Sequence, residues 1–329
     1  MKQRILGQTG PTVGVVGYGA MSFTNFYGPA SDEGSMAVLD ACLDLGITHL
    51  DTSNVYGMGR SETVIGDWLK RRGGACPFTI ATKGGITRDP GRRLNNDASH
   101  LAEALDASLD RLGVESVDLY YLHRLEPGQQ IEDVTETLAG FVKAGKAKAI
   151  GFSEIAPATL RRAHAVHPVA AVQCEYSLST RSPELGLIQT CAELGTSLVA
   201  FSPVGRALLT DRPHDATAIE GMDFLKANPR FMEPNLSANR ALTEPFRALA
   251  QEMGVAAATL AIAWLVHRGE HVLPIPGTRH IDHLRELAAG GSMDLTAEDM
   301  ARIEAILPLG WAHGDRYNEK QWVGPERYC

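Results

Sequence analysis

This 329-residue chain has no Cys-x-x-Cys pair and no even cysteine set; its five cysteines, Cys42, Cys76, Cys174, Cys191 and Cys329, lie far apart. That spacing excludes the usual zinc and dithiol-redox motifs and fits free thiols in a reducing compartment. No uninterrupted apolar run approaches the ~20 residues a membrane-spanning helix needs, and Met1 to Thr9 lacks the apolar core of an export signal. A cytoplasmic protein without a membrane partner is expected. Basic excess is missing as well. The net charge of −8 argues against a nucleic-acid surface, which needs clustered cations to displace counterions. The short group Lys70, Arg71 and Arg72 reads instead as the solvated, dipole-compensating end of a helix.

What is present is a large apolar fraction, 44% of residues, arranged with a repeating change of period. Eight short β-prone runs stand out: Val13 to Gly19, Ile47 to Thr52, Phe78 to Lys83, Val117 to His123, Ala147 to Ser153, Ala170 to Tyr176, Ser197 to Ser202 and Val272 to Gly277. Between them the apolar period lengthens from 2 to 3.6: Met36, Leu39 and Leu43 share a helical face, as do Leu101, Leu105, Leu109 and Leu112. Ser31 is a candidate N-cap, while Gly46, Gly113 and Gly145 stand where helices end. Strand-helix alternation predicts parallel βαβ units, and eight of them predict a closed (β/α)8 TIM barrel forming one domain over residues 1–329. Arg4 to Val16 is expected to form a hairpin at the barrel bottom, turning at Gly10-Pro11. Gly205 to Arg240 breaks the alternation and reads as a long loop over the opposite face. The tail from Leu309, with Trp311, Tyr317, Trp322 and Tyr328, is too aromatic for a disordered linker.

The strand runs close on polar residues, in order Asp51, Lys83, His123, Ser153, Gln173 and Ser202. Strand ends of a parallel barrel meet on its C-terminal face, so topology brings these dispersed groups into one site. Solvation explains any single polar strand end, but less readily an acid, a lysine and a histidine together. Asp51 is followed by Thr52-Ser53-Asn54-Val55-Tyr56-Gly57, which lifts a tyrosine hydroxyl above the carboxylate. An ammonium from Lys83 beside that oxygen favours the phenolate and makes Tyr56 a usable proton donor near neutrality. His123 is placed to orient a carbonyl through its ring N–H, or is a satisfied core histidine.

Asp51-x4-Tyr56-Gly57, Thr82-Lys83-Gly84 and Tyr121-Leu122-His123-Arg124 together resemble the catalytic tetrad of the aldo-keto reductases, in the family's order. Leu6-Gly7, Gly151-Phe152-Ser153-Glu154, Val172-Gln173-x-Glu175-Tyr176-Ser177, Phe201-Ser202-Pro203-x-Gly205-Arg206 and Ile275-Pro276-Gly277-Thr278-Arg279 resemble further family segments across nearly the whole chain, in wording similar to the general-aldehyde and pyridoxal-reductase-like branches. The resemblance implies an NADPH-dependent reductase of aldehydes or ketones with Asp51, Tyr56, Lys83 and His123 catalytic. It implies nicotinamide contacts from Ser153 and Gln173 and stacking by Phe201, where many members carry tyrosine. Ser202, Pro203, Val204, Gly205 and Arg206 would cover the pyrophosphate. Gly277, Thr278 and Arg279 would hold the adenosine 2′-phosphate, and Gly19, Met21, Asp51, Glu154 and Ile275 would line the cofactor path. Glu286 matches the family's adenine end, but His283 replaces a common second arginine and Leu287 a common asparagine, so NADH use stays open.

Other readings compete with this one. Gly14-x-x-Gly17-x-Gly19 suggests a dinucleotide fingerprint, yet the third glycine falls at Ser22. His164 and His167 have helical metal-ligand spacing but no evident third ligand. Asp51 with Glu175 would suit a glycosidase, which leaves Tyr56 and Lys83 unexplained. A cofactor-binding sensor related to potassium-channel β subunits would keep the same tetrad. Substrate choice is expected in Phe23, Phe26 and Tyr27, the Arg88 to Asn95 loop, the 205–240 segment and the tail, with Arg88, Arg92 and Arg93 candidates for holding an anion.

Overall fold

A computed structural model describes residues 1–327 and 329, leaving Tyr328 outside the description. The N-terminal hairpin pairs β1 (Gln3–Ile5) with β2 (Thr12–Gly14), Arg4 opposite Val13. The main sheet then runs through β3 (Tyr18–Gly19), β4 (His49–Asp51), β5 (Thr79–Gly84), β6 (Leu119–Leu122), β7 (Ile150–Ser153), β8 (Val169–Glu175), β9 (Ser197–Phe201) and β10 (Val272–Pro274). All eight are parallel and lie in sequence order. The backbone N–H groups of Gly17 and Gly19 donate to Pro274 O and Pro276 O at 2.9 and 3.0 Å, which joins the last strand to the first and closes the barrel.

That seam requires glycine. A Cβ on Gly277 would lie 2.4 Å from Gly19 O, and one on Gly19 would lie 2.9 Å from Ile275 O. The expected first strand, Val13 to Gly19, does not form as one piece. Its residues divide between the hairpin and the barrel, because Val13 pairs with Arg4 while only Tyr18 and Gly19 reach β4. Val13, Val15 and Val16 are all fully buried, so their composition reads as one strand although the chain bends between them. Leu6 and Val13 enter the barrel's interior cluster with Ala81, Leu119, Tyr121, Ala171, Val199 and Leu273, so the hairpin plugs the bottom as expected.

The helices α1 (Asp32–Asp44), α2 (Arg60–Arg72), α3 (Ala98–Leu112), α4 (Ile131–Lys143), α5 (Pro157–Val166) and α6 (Leu187–Leu194) alternate with the strands. Ser31 accepts from Gly34 N at 3.1 Å as the cap of α1, and Gly113, at φ +66°, ends α3. Leucines 101, 105, 109 and 112 of α3 are buried in the layer between helices and sheet.

The 205–240 segment is not a bare loop. It contains α7 (Ala216–Glu220), α8 (Asp223–Lys226) and α9 (Asn235–Leu242), built around Leu208, Ile219, Leu225, Phe231 and Leu236. Helices α10 (Glu244–Glu252), α11 (Ala257–Val266), α12 (Ile281–Gly290) and α13 (Ala297–Ile306) complete the outer ring, with every residue of α11 buried. Among the described residues no single helix is long and apolar enough to cross a membrane. The tail folds back over the barrel: Trp311 Nε1 donates to Leu178 O at 2.7 Å. Glu326 accepts from Ala156 N at 2.5 Å and Thr159 Oγ1 at 2.9 Å, occupying the N-terminal end of α5 where a carboxylate is favoured.

Candidate active site

The C-terminal ends of β4, β5 and β6 deliver Asp51, Lys83 and His123 to one place. In-register parallel pairing sets Asp51 beside Ala81 and Lys83 beside Tyr121, so alternate residues face the barrel axis together. Lys83 Nζ donates to Asp51 Oδ1, to Thr52 O at 2.8 Å and to the Tyr56 hydroxyl at 3.2 Å. Asp51 and Lys83 are buried, 1% and 0% exposed, while Tyr56 on the following turn is only half-buried. Burial by itself pushes the Lys83 ammonium below the usual lysine value. The Asp51 carboxylate and the Tyr56 oxygen more than offset it, holding the ammonium above the usual lysine value.

Two tyrosine rings flank that ammonium, Tyr56 at 4.8 Å and Tyr121 at 5.9 Å from ring centroid to Nζ. Tyr121 is fully buried, and burial followed by the Asp51 charge pushes its phenol well above 10.0. The half-buried Tyr56 is therefore the tyrosine in position to exchange a proton at the mouth.

His123 sits edge-on to Tyr56, ring centroids 5.9 Å apart. Burial, then Arg124 and Lys83, push its imidazole well below 6.5, so the ring is neutral. Its Nδ1 faces Ser53 Oγ at 3.1 Å, a partner the sequence reading did not single out. The Ser53 hydroxyl has one proton and three acceptors in range, the others being Lys83 O at 3.3 Å and Asn54 Oδ1 at 3.4 Å. Given to Nδ1, that proton leaves Nε2 as the protonated ring nitrogen. A serine directly after Asp51-Thr52 was the available signal, masked by its place in a polar loop.

Strand pairing sets Ser153 opposite Gln173 and Glu175 opposite Phe201, which puts an amide, a hydroxyl and a partly exposed aromatic face side by side. Gln173 Nε2 donates to Asp51 Oδ2 at 2.7 Å, tying this group to the Lys83 cluster. Ser153 Oγ accepts from Arg124 Nη1 at 2.9 Å. Glu154 is fully buried, with its carboxylate held by Arg124 at 2.9 Å, by Arg316 and by the Tyr317 hydroxyl at 3.2 Å. The loop after β9 is unusual in its backbone: Ser202, Arg206 and Ala207 have φ of 50°, 54° and 77°. Such left-handed non-glycine residues concentrate at functional loops. Pro203, Val204 and Gly205 lie between them, and Arg206 Nε reaches Ser202 Oγ at 3.4 Å.

On the opposite side of the mouth, Met21 lies in the turn after Gly19, and Ile275 N donates to Ala200 O at 2.9 Å. Tyr18 donates to Thr278 O at 2.6 Å, and the Arg279 guanidinium, half-buried, donates to Pro29 O at 2.5 Å beside Gly28. His283 is exposed and edge-on to His280, ring centroids 5.0 Å apart. Glu286 accepts through its backbone carbonyl from Thr259 at 2.7 Å. Leu287 packs with Val15, Val16 and Ile262, so its side chain belongs to the core.

Two expectations for the substrate side change. Phe23 is fully buried against Tyr18, ring centroids 5.2 Å apart, and does not line the mouth. Arg92 is saturated by Asp97 and Glu126 at 2.7 and 2.8 Å, a mutual neutralisation that removes it as an anion ligand.

The family model for the aldo/keto reductase family matches residues 15–308. The chain is 38% identical over 312 residues to the aldo-keto reductase yakc [NADP(+)] of Schizosaccharomyces pombe, covering 93% of this chain and 92% of the relative. It is 36% identical to the probable aldo-keto reductase 1 of Glycine max, with 95% and 90% covered, and 36% identical to the aldo-keto reductase str7 of Strobilurus tenacellus, with 95% and 94% covered. Its fold matches a glycerol dehydrogenase from Gluconobacter oxydans, TM-score 0.81 at 24% identity, covering 93% of this chain and 94% of that one. A thermostable aldo-keto reductase solved with the inhibitor epalrestat gives a TM-score of 0.72 at 26% identity, covering 93% of this chain and all of that one. With the barrel, the strand-end cluster and relatives along almost its full length in agreement, the chain belongs to the aldo/keto reductase family of oxidoreductases.

Proposed function

We propose that this protein, one domain over residues 1–329, reduces the carbonyl of an aldehyde or ketone to an alcohol with NADPH, and that Tyr56 gives the proton. The observation that carries this reading is the Lys83 ammonium, 3.2 Å from the Tyr56 hydroxyl and paired to buried Asp51. When the phenol gives up its proton to the developing alkoxide, the ammonium behind it stabilises the oxyanion left on Tyr56. Asp51 keeps Lys83 charged and, through Gln173, fixes its own second oxygen. His123, neutral and held by Ser53, presents Nε2–H to the carbonyl oxygen and orients it toward Tyr56.

The residues at the mouth fit a nicotinamide dinucleotide. Ser153 and Gln173 match the hydrogen-bonding groups of a carboxamide, and Phe201 offers a stacking face without the hydroxyl of tyrosine. The 202–206 loop lies beside them. Arg279 supplies a guanidinium suited to a 2′-phosphate, which favours NADPH over NADH. The bound cofactor supplies the hydride for the carbonyl carbon. Consumption of NADPH and of NADH, followed at 340 nm with aromatic aldehydes, dicarbonyls and bulky ketones, tests the reading. NADPH-dependent reduction of at least one carbonyl is expected, and cofactor binding without any turnover would count against it.

A further inference from the structure

Arg279, His280 and His283 stand together where the chain turns from β10 into α12. The His280 and His283 rings meet edge-on, centroids 5.0 Å apart, and both side chains are exposed. Arg279 is half-buried against the turn after β3: Nη1 donates to Pro29 O, and a Cβ on Gly28 would sit 2.9 Å from the same nitrogen. Glycine there permits the close approach. Among the described residues the guanidinium finds a backbone oxygen and no carboxylate.

Carboxylates near this group are few and already engaged. Asp282 faces His280, but it pairs with Arg285 at 2.7 Å. From the 205–240 segment His214 faces Arg279, with Asp215 beside it. Of the helices packed against α12, α11 has no charged residue, while α1 carries Asp32, Glu33, Asp40 and Asp44. Asp32 pairs with Arg60 at 2.7 Å, and Asp40 accepts from Trp68 Nε1 at 2.9 Å. Burial, then His283 and Arg279, hold the His280 ring below 6.5. A neighbouring cation disfavours a second positive charge, and an anion placed among these groups reverses that balance. The unpaired guanidinium, flanked by two exposed imidazoles, therefore fits a phosphate monoester whose arrival changes how many protons the protein holds.

We propose that His280 and His283 take up protons when the 2′-phosphate of NADPH binds at Arg279, so that the preference for NADPH over NADH is set by pH. This rests on Arg279 as the 2′-phosphate residue in the reading above; the proton coupling is what the two histidines add. A dianion beside imidazoles favours imidazolium, so the complex holds more protons than the free protein and NADPH affinity rises as pH falls. NADH has a hydroxyl in place of that phosphate and induces no uptake.

Calorimetry tests this directly. NADPH binding near about pH 7.5, in buffers of different ionisation heat, should show uptake of about half to one proton, and NADH binding none. A phosphate monoester titrates near about pH 6, so the nucleotide's own charge is nearly constant between about pH 7 and 9. Over that range the ratio of NADH to NADPH dissociation constants, from fluorescence titration, should fall about 3- to 10-fold as pH rises. The double variant His280→Gln, His283→Gln should show no uptake and a flat ratio, with NADPH still the tighter ligand through Arg279.

A preference for NADPH that is independent of pH, without proton uptake, would overturn the histidine role and leave Arg279 in place. Uptake that persists in the double variant would overturn it too, by assigning the proton to another group such as His214. NADPH binding no tighter than NADH at every pH would overturn both this inference and the 2′-phosphate reading beneath it.

Discussion

Ser53 Oγ and His123 Nδ1 stand 3.1 Å apart, joining the loop after β4 to the end of β6. If this hydroxyl sets which imidazole nitrogen carries the proton, Ser53→Ala frees the ring to hold its proton on either side. The loss of one orienting hydrogen bond predicts a fall in kcat/KM of about three- to tenfold. NADPH affinity, measured by fluorescence titration, should not change. An unaltered kcat/KM would show that Ser53 does not position His123.

The neutrality of His123 carries a pH signature. Its folded value lies well below 6.5, so the unfolded chain binds more protons than the native one as pH falls below that point. Its contribution to stability is therefore present above pH 6.5 and is lost progressively as pH drops toward the folded value. Titration of the His123 ring by NMR should show no inflection between about pH 6 and 8, where an ordinary histidine titrates. A midpoint near the ordinary value would contradict the buried, cation-flanked environment.

The barrel seam and the outer helices should respond oppositely to an added methyl group. Gly277→Ala puts a Cβ 2.4 Å from the Gly19 backbone oxygen, closer than a methyl group can sit, so the backbone must shift. Overpacking of that kind costs about 1–3 kcal/mol, measurable as an earlier denaturant midpoint. Gly140, inside α4, has open space around the same position. Gly140→Ala should stabilise the protein by up to about 1 kcal/mol, because alanine restricts the unfolded chain and favours the helix. Equal midpoints for the two variants would show that seam contact is not limiting.

Much of this was legible in the sequence because the barrel imposes a repeating period and a common face. Asp51, Lys83 and His123 end consecutive strand runs, so topology alone brings them together. The groups that escaped notice lack such a frame. Ser53 hides among loop polar residues, Arg230 lies in the short turn Pro229–Phe231, and Arg316 lies in the tail beyond the last helix, so no 3.6-residue period marks either arginine. Their partner Glu175 is visible as a strand-end acid, but nothing in its spacing indicates the arginines that return to it from distant segments. Local composition also misled at Arg92, whose neutralising partner Glu126 comes from the next strand's loop.

The most direct test of the whole account is Tyr56→Phe, which removes the phenolic proton and leaves the ring that packs against Lys83 and His123. The variant should fold, bind NADPH with unchanged affinity, and lose about 100- to 10,000-fold in carbonyl reduction measured at 340 nm. Near-full activity in a folded, NADPH-binding variant would contradict Tyr56 as the proton donor.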